Sequence, residues 1–162
     1  MDHIIRDVAT ADLDEILSLN EEVVPAVNSI PVEEMHWFAD HATYFRVATA
    51  DDRLAAFLIG LRPGITYESP NYRWFCGHYD DFGYVDRIAV ASHARRHGLA
   101  TTMYDDFRKS LPADVDVMTC EVNLKPPNES SMRFHERYGF TQIGSQATEG
   151  GKKEVALMAK TL

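Results

Sequence analysis

The chain has 162 residues, of which 45% are hydrophobic and 25% are charged, and its formal net charge is −9 at pH 7. This length and composition are typical of a globular protein with a sizeable core, and they exclude an intrinsically disordered chain. The acidic balance argues against a nucleic-acid partner, because binding to phosphate backbones depends mostly on lysine and arginine.

The first part of the chain predicts a strand followed by two helices. These elements cover residues 3–8, 11–25 and 31–42. Thr10 is a candidate N-cap for the first helix, and Pro31 stands near the start of the second. Apolar residues recur at helical spacing in the first helix, at Leu13, Ile16, Leu17 and Val24. Asn20 shares that face, so it is either a helix-edge residue bonded to backbone or a polar group facing a ligand.

Two strands and a long irregular segment come next. Residues 44–50 and 53–61 are predicted strands around the Asp51-Asp52 turn. Residues 62–82 contain prolines, glycines and many aromatic side chains, and they predict an irregular loop. A loop of this length in a compact domain is usually functional or mobile.

The most informative pattern is a strand, a basic glycine-containing loop and the start of a helix. The strand covers residues 84–90, and the helix runs to about Leu111, where Pro112 ends it. Between them lies Arg95-Arg96-His97-Gly98-Leu99-Ala100. The free N–H groups of a first helical turn and the positive end of the macrodipole attract anions. This segment therefore predicts a phosphate-bearing ligand.

The last part of the chain predicts a strand, a short helix and two closing strands. The strands cover residues 115–122, 140–144 and 154–160, with a turn at Gly150-Gly151. Asn128 caps the helix, which ends at Gly139. The predicted order is β-α-α-β-β-β-α-β-α-β-β, an α/β (α+β) fold with helices on both faces of a mixed sheet.

Two sequence motifs stand in this order of elements. The first, Arg/Gln-x-x-Gly-x-Gly/Ala, appears at residues 95–100. The second, Asn-x-x-Ser/Ala-x-x-Phe/Leu-Tyr-x-x-x-Gly-Phe, appears at residues 128–140, with His135 in place of the tyrosine. With these motifs the chain resembles the GNAT superfamily of acyl-CoA N-acyltransferases. The resemblance covers essentially the whole chain and implies a mixed, mostly antiparallel central sheet flanked by helices. It also implies an acetyl-CoA-dependent N-acetyltransferase that acts on a primary amine by direct attack. A non-catalytic acyl-CoA-binding or regulatory module of the same fold is the alternative.

The resemblance also implies which residues bind coenzyme A. The backbone of Ile88, Ala89 and Val90 is expected to meet the pantetheine arm and the acyl carbonyl. Asn128 is expected to contact the pantetheine, to cap its helix, or both. The pyrophosphate is expected on the loop, whose predicted binding residues are Arg95, Arg96, His97, Gly98, Leu99, Ala100 and Thr101.

Acyl transfer to an amine needs a base for the amine and a proton for the leaving thiolate. Asp86 and Glu121 are carboxylates on predicted interior strands, where a charge is expensive unless it is paired or used. Glu121 resembles the general base of ribosomal-protein N-terminal acetyltransferases, and Asp86 resembles acceptor-facing carboxylates of aminoglycoside-type members. Each is alternatively a salt-bridge partner, with Arg87 or Arg133 as candidates.

His135 occupies the position of the family's usual general acid. It is either that acid, acting as an imidazolium, or a hydrogen-bonded core residue. Tyr138 is the other candidate acid.

The acceptor is expected to be a small-molecule amine or a peptide N-terminus. Candidate acceptor-binding residues are Asn20, Trp37, Tyr72 and Trp74, each of which is alternatively a packing residue. The family's closing strands often form dimers, so a homodimer is expected. His93-x-x-x-His97 has zinc-compatible spacing, but no cysteine pair or His-Glu-x-x-His completes a set, so we predict no metal.

Cysteine use and apolar runs favour a cytoplasmic protein. Cys76 and Cys120 form no C-x-x-C pair, which favours a reducing compartment. The first residues lack the basic start and apolar core of a signal peptide. No apolar run approaches the ~20 residues that cross a bilayer, so no membrane partner is expected. From the chain length and the absence of a linker or an internal repeat, we predict a single domain over residues 1–162.

Overall fold

The computed structural model describes residues 2–162 as strands and helices around one sheet. The strands are β1 (Ile4–Asp7), β2 (Tyr44–Ala50), β3 (Arg53–Leu61), β4 (Gly83–Val90), β5 (Val117–Lys125), β6 (Thr141–Thr148) and β7 (Lys153–Thr161). The helices are α1 (Leu13–Glu22), α2 (Val32–His41), α3 (Pro70–Cys76), α4 (Leu99–Ser110) and α5 (Glu129–Tyr138).

The sheet has the strand order β1-β2-β3-β4-β5-β7-β6. Antiparallel pairs join β1 to β2, β2 to β3, β5 to β7 and β7 to β6, whereas β4 and β5 are parallel. The predicted fold, a mixed and mostly antiparallel sheet flanked by helices, is confirmed.

The chain divides into two compact units. The first comprises the chain up to Leu61 together with Arg87–Ser110, and the second comprises Arg62–Asp86 and Leu111–Leu162. β4 therefore begins in the second unit and ends in the first. The prediction of one domain over residues 1–162 stays a prediction.

The first unit is built on the β2–β3 hairpin, which α1 and α4 contact. Asp51 and Asp52 both have positive φ, 52° and 60°, as a tight hairpin turn requires. β3 is buried along most of its length, so it reads as a continuous apolar run rather than an alternating one. A side chain at Gly60 would lie 2.4 Å from Phe107, so glycine there lets α4 seat close to β3.

The second unit contains an aromatic core beneath α3. Tyr72, Phe75, Phe82 and Tyr84 are almost fully buried, and their rings pack against one another. Asn128 caps α5 as predicted, since its Oδ1 accepts a hydrogen bond from the Ser131 N–H at 3.2 Å. Gly139 ends α5 with a φ of 117°.

Two predictions about the first helix are wrong. Thr10 does not cap it; Thr10 begins a 3-10 turn, and α1 starts at Leu13. Asp12 is the last residue of that turn, and its carboxylate accepts the Ala9 N–H at 2.7 Å without capping α1. The helix also ends at Glu22, ahead of Pro25, so Val24 is exposed and Leu19 takes its place in the core.

The predicted irregular loop over residues 62–82 contains helix α3. Pro70 is its first residue, and the Ser69 hydroxyl accepts a hydrogen bond from the Tyr72 N–H at 3.4 Å. Both are helix-start signals, and the density of aromatic residues around them hid the short helical pattern. β6 is also longer than predicted, reaching Thr148.

Candidate active site

The loop between β4 and α4 has the backbone geometry of an anion cradle. Arg96 and Gly98 adopt left-handed conformations, with φ of 68° and 71°. Successive changes of backbone hand turn neighbouring N–H groups toward one side, which forms a concave site for an anion. Only Gly98 adopts this conformation without steric cost, whereas Arg96 is held in it by the loop.

The first turn of α4 presents free hydrogen-bond donors. Within residues 2–162, no backbone acceptor is paired with the N–H groups of Leu99, Ala100 or Thr101. A side chain at Gly98 would meet no atom within 4 Å, so the space in front of the loop is open. Arg95, Arg96 and His97 are exposed, and the two arginines add positive charge. This donor set fits a pyrophosphate.

The strand before the loop supplies partly exposed side chains. Ala89 is buried, whereas Ile88 and Val90 are half-buried on the face that Asp86 shares. The Val90 carbonyl accepts a 3.3 Å hydrogen bond from Arg95 Nε, which ties the loop back to the strand.

The ladder between β4 and β5 is short. It consists of Gly83↔Met118 and Tyr84↔Thr119, and it ends before Asp86 and Glu121. A ladder continued by two residues would pair Asp86 with Glu121, so both carboxylates stand at equivalent positions just past the last pair. Both are half-buried.

Each carboxylate accepts a short hydrogen bond from a tyrosine. The Tyr84 hydroxyl donates to Glu121 Oε2 at 2.6 Å, and the Tyr67 hydroxyl donates to Asp86 Oδ1 at 2.7 Å. We call these four residues the acid–phenol cluster. Burial, followed by the charges of Glu121 and Asp86, raises the pKa of Tyr84 well above its ordinary value. Tyr84 therefore stays protonated and remains a donor at neutral pH.

His135 has the surroundings of a hydrogen-bonded core residue. It is 5% exposed, and its Nδ1 lies 2.7 Å from the Ser131 carbonyl oxygen. A carbonyl oxygen only accepts, so Nδ1 carries a proton. Burial lowers the pKa of His135, against a smaller opposing effect of this hydrogen bond. The geometry supports the core reading of His135 over that of an imidazolium acid.

The four candidate acceptor residues differ in exposure. Asn20 and Tyr72 are buried, and the Tyr72 hydroxyl donates to the Arg62 carbonyl at 2.8 Å. Trp37 is half-buried and stacks on His41, at 4.5 Å between ring centroids. Trp74 is half-buried, stacks on His78 at 4.1 Å, and packs against Gly144. The two tryptophans thus offer partly exposed aromatic surface, whereas Asn20 and Tyr72 support other groups.

A family model decides which class of protein carries this arrangement. The model of the acetyltransferase (GNAT) family matches residues 11–140. The chain belongs to the GNAT family. The match confirms the predicted family and the predicted enzyme class, an N-acetyltransferase.

Individual relatives agree with the family match. The N-alpha-acetyltransferase of Saccharolobus solfataricus is 23% identical over 146 residues, covering 88% of this chain and 82% of that protein. The phosphinothricin N-acetyltransferase of Streptomyces viridochromogenes is 30% identical over 99 residues, covering 61% of this chain and 52% of that protein. The crystal structure of Ard1 from Thermoplasma volcanium superimposes with a TM-score of 0.78 at 15% identity, covering 100% of this chain and 99% of that one. This last likeness shows that the GNAT fold extends over the whole chain.

Reasoning from the sequence missed the tyrosines of the acid–phenol cluster as partners of the carboxylates. Tyr84 lies in a predicted strand two residues before Asp86, so strand alternation places both on one face. That signal was available for Tyr84. Tyr67 lies in the irregular part of the 62–82 segment, where no local pattern predicts its position.

Two kinds of site find no support in the described residues. Over residues 2–162, no group of three or more His, Cys, Asp or Glu side chains is arranged to hold a metal ion. None of the helices in that range combines the length and the hydropathy needed to span a membrane.

Proposed function

We propose that this GNAT enzyme transfers the acetyl group of acetyl-CoA to the α-amine of a peptide N-terminus or of a small molecule. The observation that carries the proposal is the acid–phenol cluster. It supplies two half-buried carboxylates, each oriented by a phenol, beyond the last pair of the β4–β5 ladder. Groups of this kind are suited to receiving an ammonium and removing its proton.

The donor is proposed to bind at the loop of residues 95–101. The N–H groups of Leu99, Ala100 and Thr101 would donate to the pyrophosphate, and Arg95 and Arg96 would add charge. The backbone of Ile88, Ala89 and Val90 would hold the pantetheine arm and polarise the thioester carbonyl. Asn128 already caps α5 through its Oδ1, and its pantetheine contact would be made by the amide nitrogen.

Glu121 is proposed as the general base. It would take a proton from the bound ammonium, and the neutral nitrogen would then attack the thioester carbonyl carbon. The C–N bond forms, the C–S bond breaks and the thiolate leaves. The attacking nitrogen gives its second proton to water as the thiolate takes one from water, so the net proton released is the one that Glu121 removed. Asp86 would hold the acceptor's positive charge before that proton is removed. The Tyr84 and Tyr67 hydroxyls fix the orientation of the two carboxylates.

His135 is proposed as a structural residue rather than the general acid. Its Nδ1 proton is held by the Ser131 carbonyl, and its lowered pKa disfavours the imidazolium form that an acid would need. A thiol with a pKa of about 8.5 is mostly protonated at neutral pH, so the leaving thiolate can take its proton from water.

An α-amine suits a carboxylate base better than a lysine-type amine. Free α-amines have a pKa of about 7.7–8.0, compared with about 10.4 for a lysine side chain. The cost of forming the neutral nucleophile at pH 7.5 is therefore lower by roughly 3 kcal/mol. The names of the two relatives, an N-alpha-acetyltransferase and a phosphinothricin N-acetyltransferase, leave both a peptide N-terminus and a small molecule as carriers of that α-amine.

We further propose a cytoplasmic homodimer. Cys76 and Cys120 form no disulfide, which suits a reducing compartment. β6 is the last strand of the sheet order, its residues are largely exposed, and an open strand edge is a ready surface for pairing. The molar mass in solution, measured by light scattering, tests the dimer.

Thiol release tests the function. The chain is mixed with acetyl-CoA and, in turn, with free-α-amine peptides, free amino acids, and aliphatic amines lacking an α-amine. We expect acceptor-dependent thiol release with the first two classes. Binding of acetyl-CoA without release for any amine would support the non-catalytic module and overturn the proposal.

A further inference from the structure

Arg87 is a buried arginine that the mechanism above does not use. It is 5% exposed and lies on β4 between Asp86 and Ile88. Those neighbours are the proposed acceptor carboxylate and the first proposed donor contact. Alternation along a strand places Arg87 on the opposite face from both.

The guanidinium is bound by the end of α1 and the segment after it. Nη1 donates to Asn20 Oδ1 at 2.9 Å and to the Asn28 carbonyl at 3.2 Å, and Nη2 donates to Asn28 Oδ1 at 2.8 Å. Asn20 Nδ2 completes the network with a 3.1 Å bond to the same Asn28 carbonyl. The guanidinium carbon also lies 5.5 Å from the centre of the Phe38 ring.

A second link joins α1 to the residues just after β4. The Ser92 N–H donates to Glu22 Oε1 at 3.3 Å. The segment after α1 is also bonded back to that helix, since the Ser29 hydroxyl donates to Glu21 Oε1 at 2.6 Å. The end of α1 is therefore attached to the β4 region on both sides of Ile88–Val90.

The bonds of Arg87 and Ser92 hold the part of β4 that lies beyond the end of its ladder with β5. The described β4–β5 ladder consists of Gly83↔Met118 and Tyr84↔Thr119, so it ends ahead of Arg87. A guanidinium is a planar fork, and three oxygens that accept from it define its position closely. The buried guanidinium also resists displacement, because losing one of these acceptors would leave part of its positive charge buried without a compensating hydrogen bond.

We propose that Arg87 is a positioning residue for acyl transfer. By anchoring β4 to Asn20 and Asn28, it fixes the position of the β4 backbone around Arg87, which carries the proposed donor contact at Ile88. The proposal rests on the proposed function for its effect on rate, but the anchoring itself does not. A misplacement of about 1 Å in such a contact can cost on the order of 10²-fold in rate.

The test compares Arg87→Met and Asn28→Ala with Arg53→Met, which removes an exposed arginine of the same unit. We expect kcat to fall by about 10-fold or more in Arg87→Met and by less in Asn28→Ala, with coenzyme A affinity little changed. Asn28→Asp, unlike Asn28→Ala, keeps an acceptor for Nη2, so it should retain most of the kcat that Asn28→Ala loses. Arg53→Met should match the unsubstituted chain.

Hydrogen exchange supplies the readout that is independent of activity. Arg87→Met should raise amide exchange in residues 20–30 and 85–92, and leave β7 unchanged. If Arg87→Met is folded and exchange in both segments is unchanged, the anchoring is wrong. If exchange rises while kcat stays within about threefold, the anchoring holds but the positioning role is overturned. Absence of transfer by the unsubstituted chain would instead overturn the proposed function, and the exchange result would still stand.

Discussion

The Tyr84 hydroxyl donates a 2.6 Å hydrogen bond to Glu121 Oε2, across the point where β4 and β5 stop pairing. Tyr84 is wholly buried, and its raised pKa keeps the phenol protonated. The bond therefore runs from phenol to carboxylate, which fixes the orientation of Glu121. This relationship is the basis of the proposed base assignment.

Replacing the proposed base should abolish most of the catalysis. Glu121→Gln keeps the shape and the Tyr84 bond but cannot take a proton, so kcat should fall by about 10²–10⁴-fold. Steady-state thiol release measures this, with the exposed Glu154→Gln as the matched control. A loss of less than about threefold would remove Glu121 from the mechanism.

Removing the orienting phenol should have a smaller and dependent effect. Tyr84→Phe keeps the ring in the core and removes the donor, so kcat should fall by roughly 10-fold while stability falls by about 1 kcal/mol. Because the hydroxyl acts only through Glu121, the double variant Tyr84→Phe/Glu121→Gln should be no slower than Glu121→Gln alone. Additive losses would mean that Tyr84 acts independently of Glu121.

Asp86 should affect acceptor binding more than chemistry. Asp86→Asn keeps a partner for the Tyr67 hydroxyl but loses the charge that attracts an ammonium. The KM for the amine should rise by about 10-fold, with kcat changed by less than about threefold. The opposite pattern, a collapse of kcat that Glu121→Gln does not show, would move the base assignment to Asp86.

The cradle offers a variant that separates stability from binding. Arg96 has a φ of 68°, so Arg96→Gly relieves strain and should stabilise the fold by roughly 1 kcal/mol. It also removes a charge proposed to face the pyrophosphate, so the dissociation constant for coenzyme A should rise severalfold. Thermal unfolding and calorimetric titration check the two effects, with Arg53→Gly as control. A variant that is less stable, or that binds coenzyme A as tightly, would contradict this role of the loop.

His135 should make stability depend on pH. Its pKa is lowered in the folded chain, so below about 6.5 the unfolded chain binds the proton more readily. The contribution of neutral His135 to the free energy of unfolding is therefore fully present above about 6.5, and it is lost as pH falls toward the lower pKa of the folded chain. Urea unfolding at pH 7.5 and 5.5 should therefore show a larger loss for the unsubstituted chain than for His135→Asn. Equal losses would show that His135 titrates normally and reopen its role as an acid.

Much of the fold could be predicted because its signals are local. β2 and β3 have the predicted bounds, since the apolar runs and the turn at Asp51-Asp52 lie within a few residues of each other. Asn128 and Gly139 delimit α5 as predicted, because a cap depends on one side chain and a stop depends on one positive φ.

The features that could not be predicted depend on contacts between distant residues. Arg87 is buried because Asn20 and Asn28, 67 and 59 positions away, supply oxygens for its guanidinium. Tyr84 meets Glu121 across 37 positions through the parallel register of β4 and β5. α3 had local signals in Ser69 and Pro70, but its position in the fold depends on the aromatic core that it forms with Phe82 and Tyr84. Patterns of neighbouring residues in the sequence do not show which distant residues will come into contact.

The most direct measurement uses one peptide that contains a free α-amine and one lysine. The peptide is incubated with the chain and acetyl-CoA, and fragment masses then locate the added acetyl group, with Glu121→Gln run in parallel. We predict a single acetyl group on the α-nitrogen, made by the unsubstituted chain and nearly absent with Glu121→Gln. Acetylation of the lysine nitrogen, or equal α-acetylation by both proteins, would contradict transfer to an α-amine by a Glu121 base.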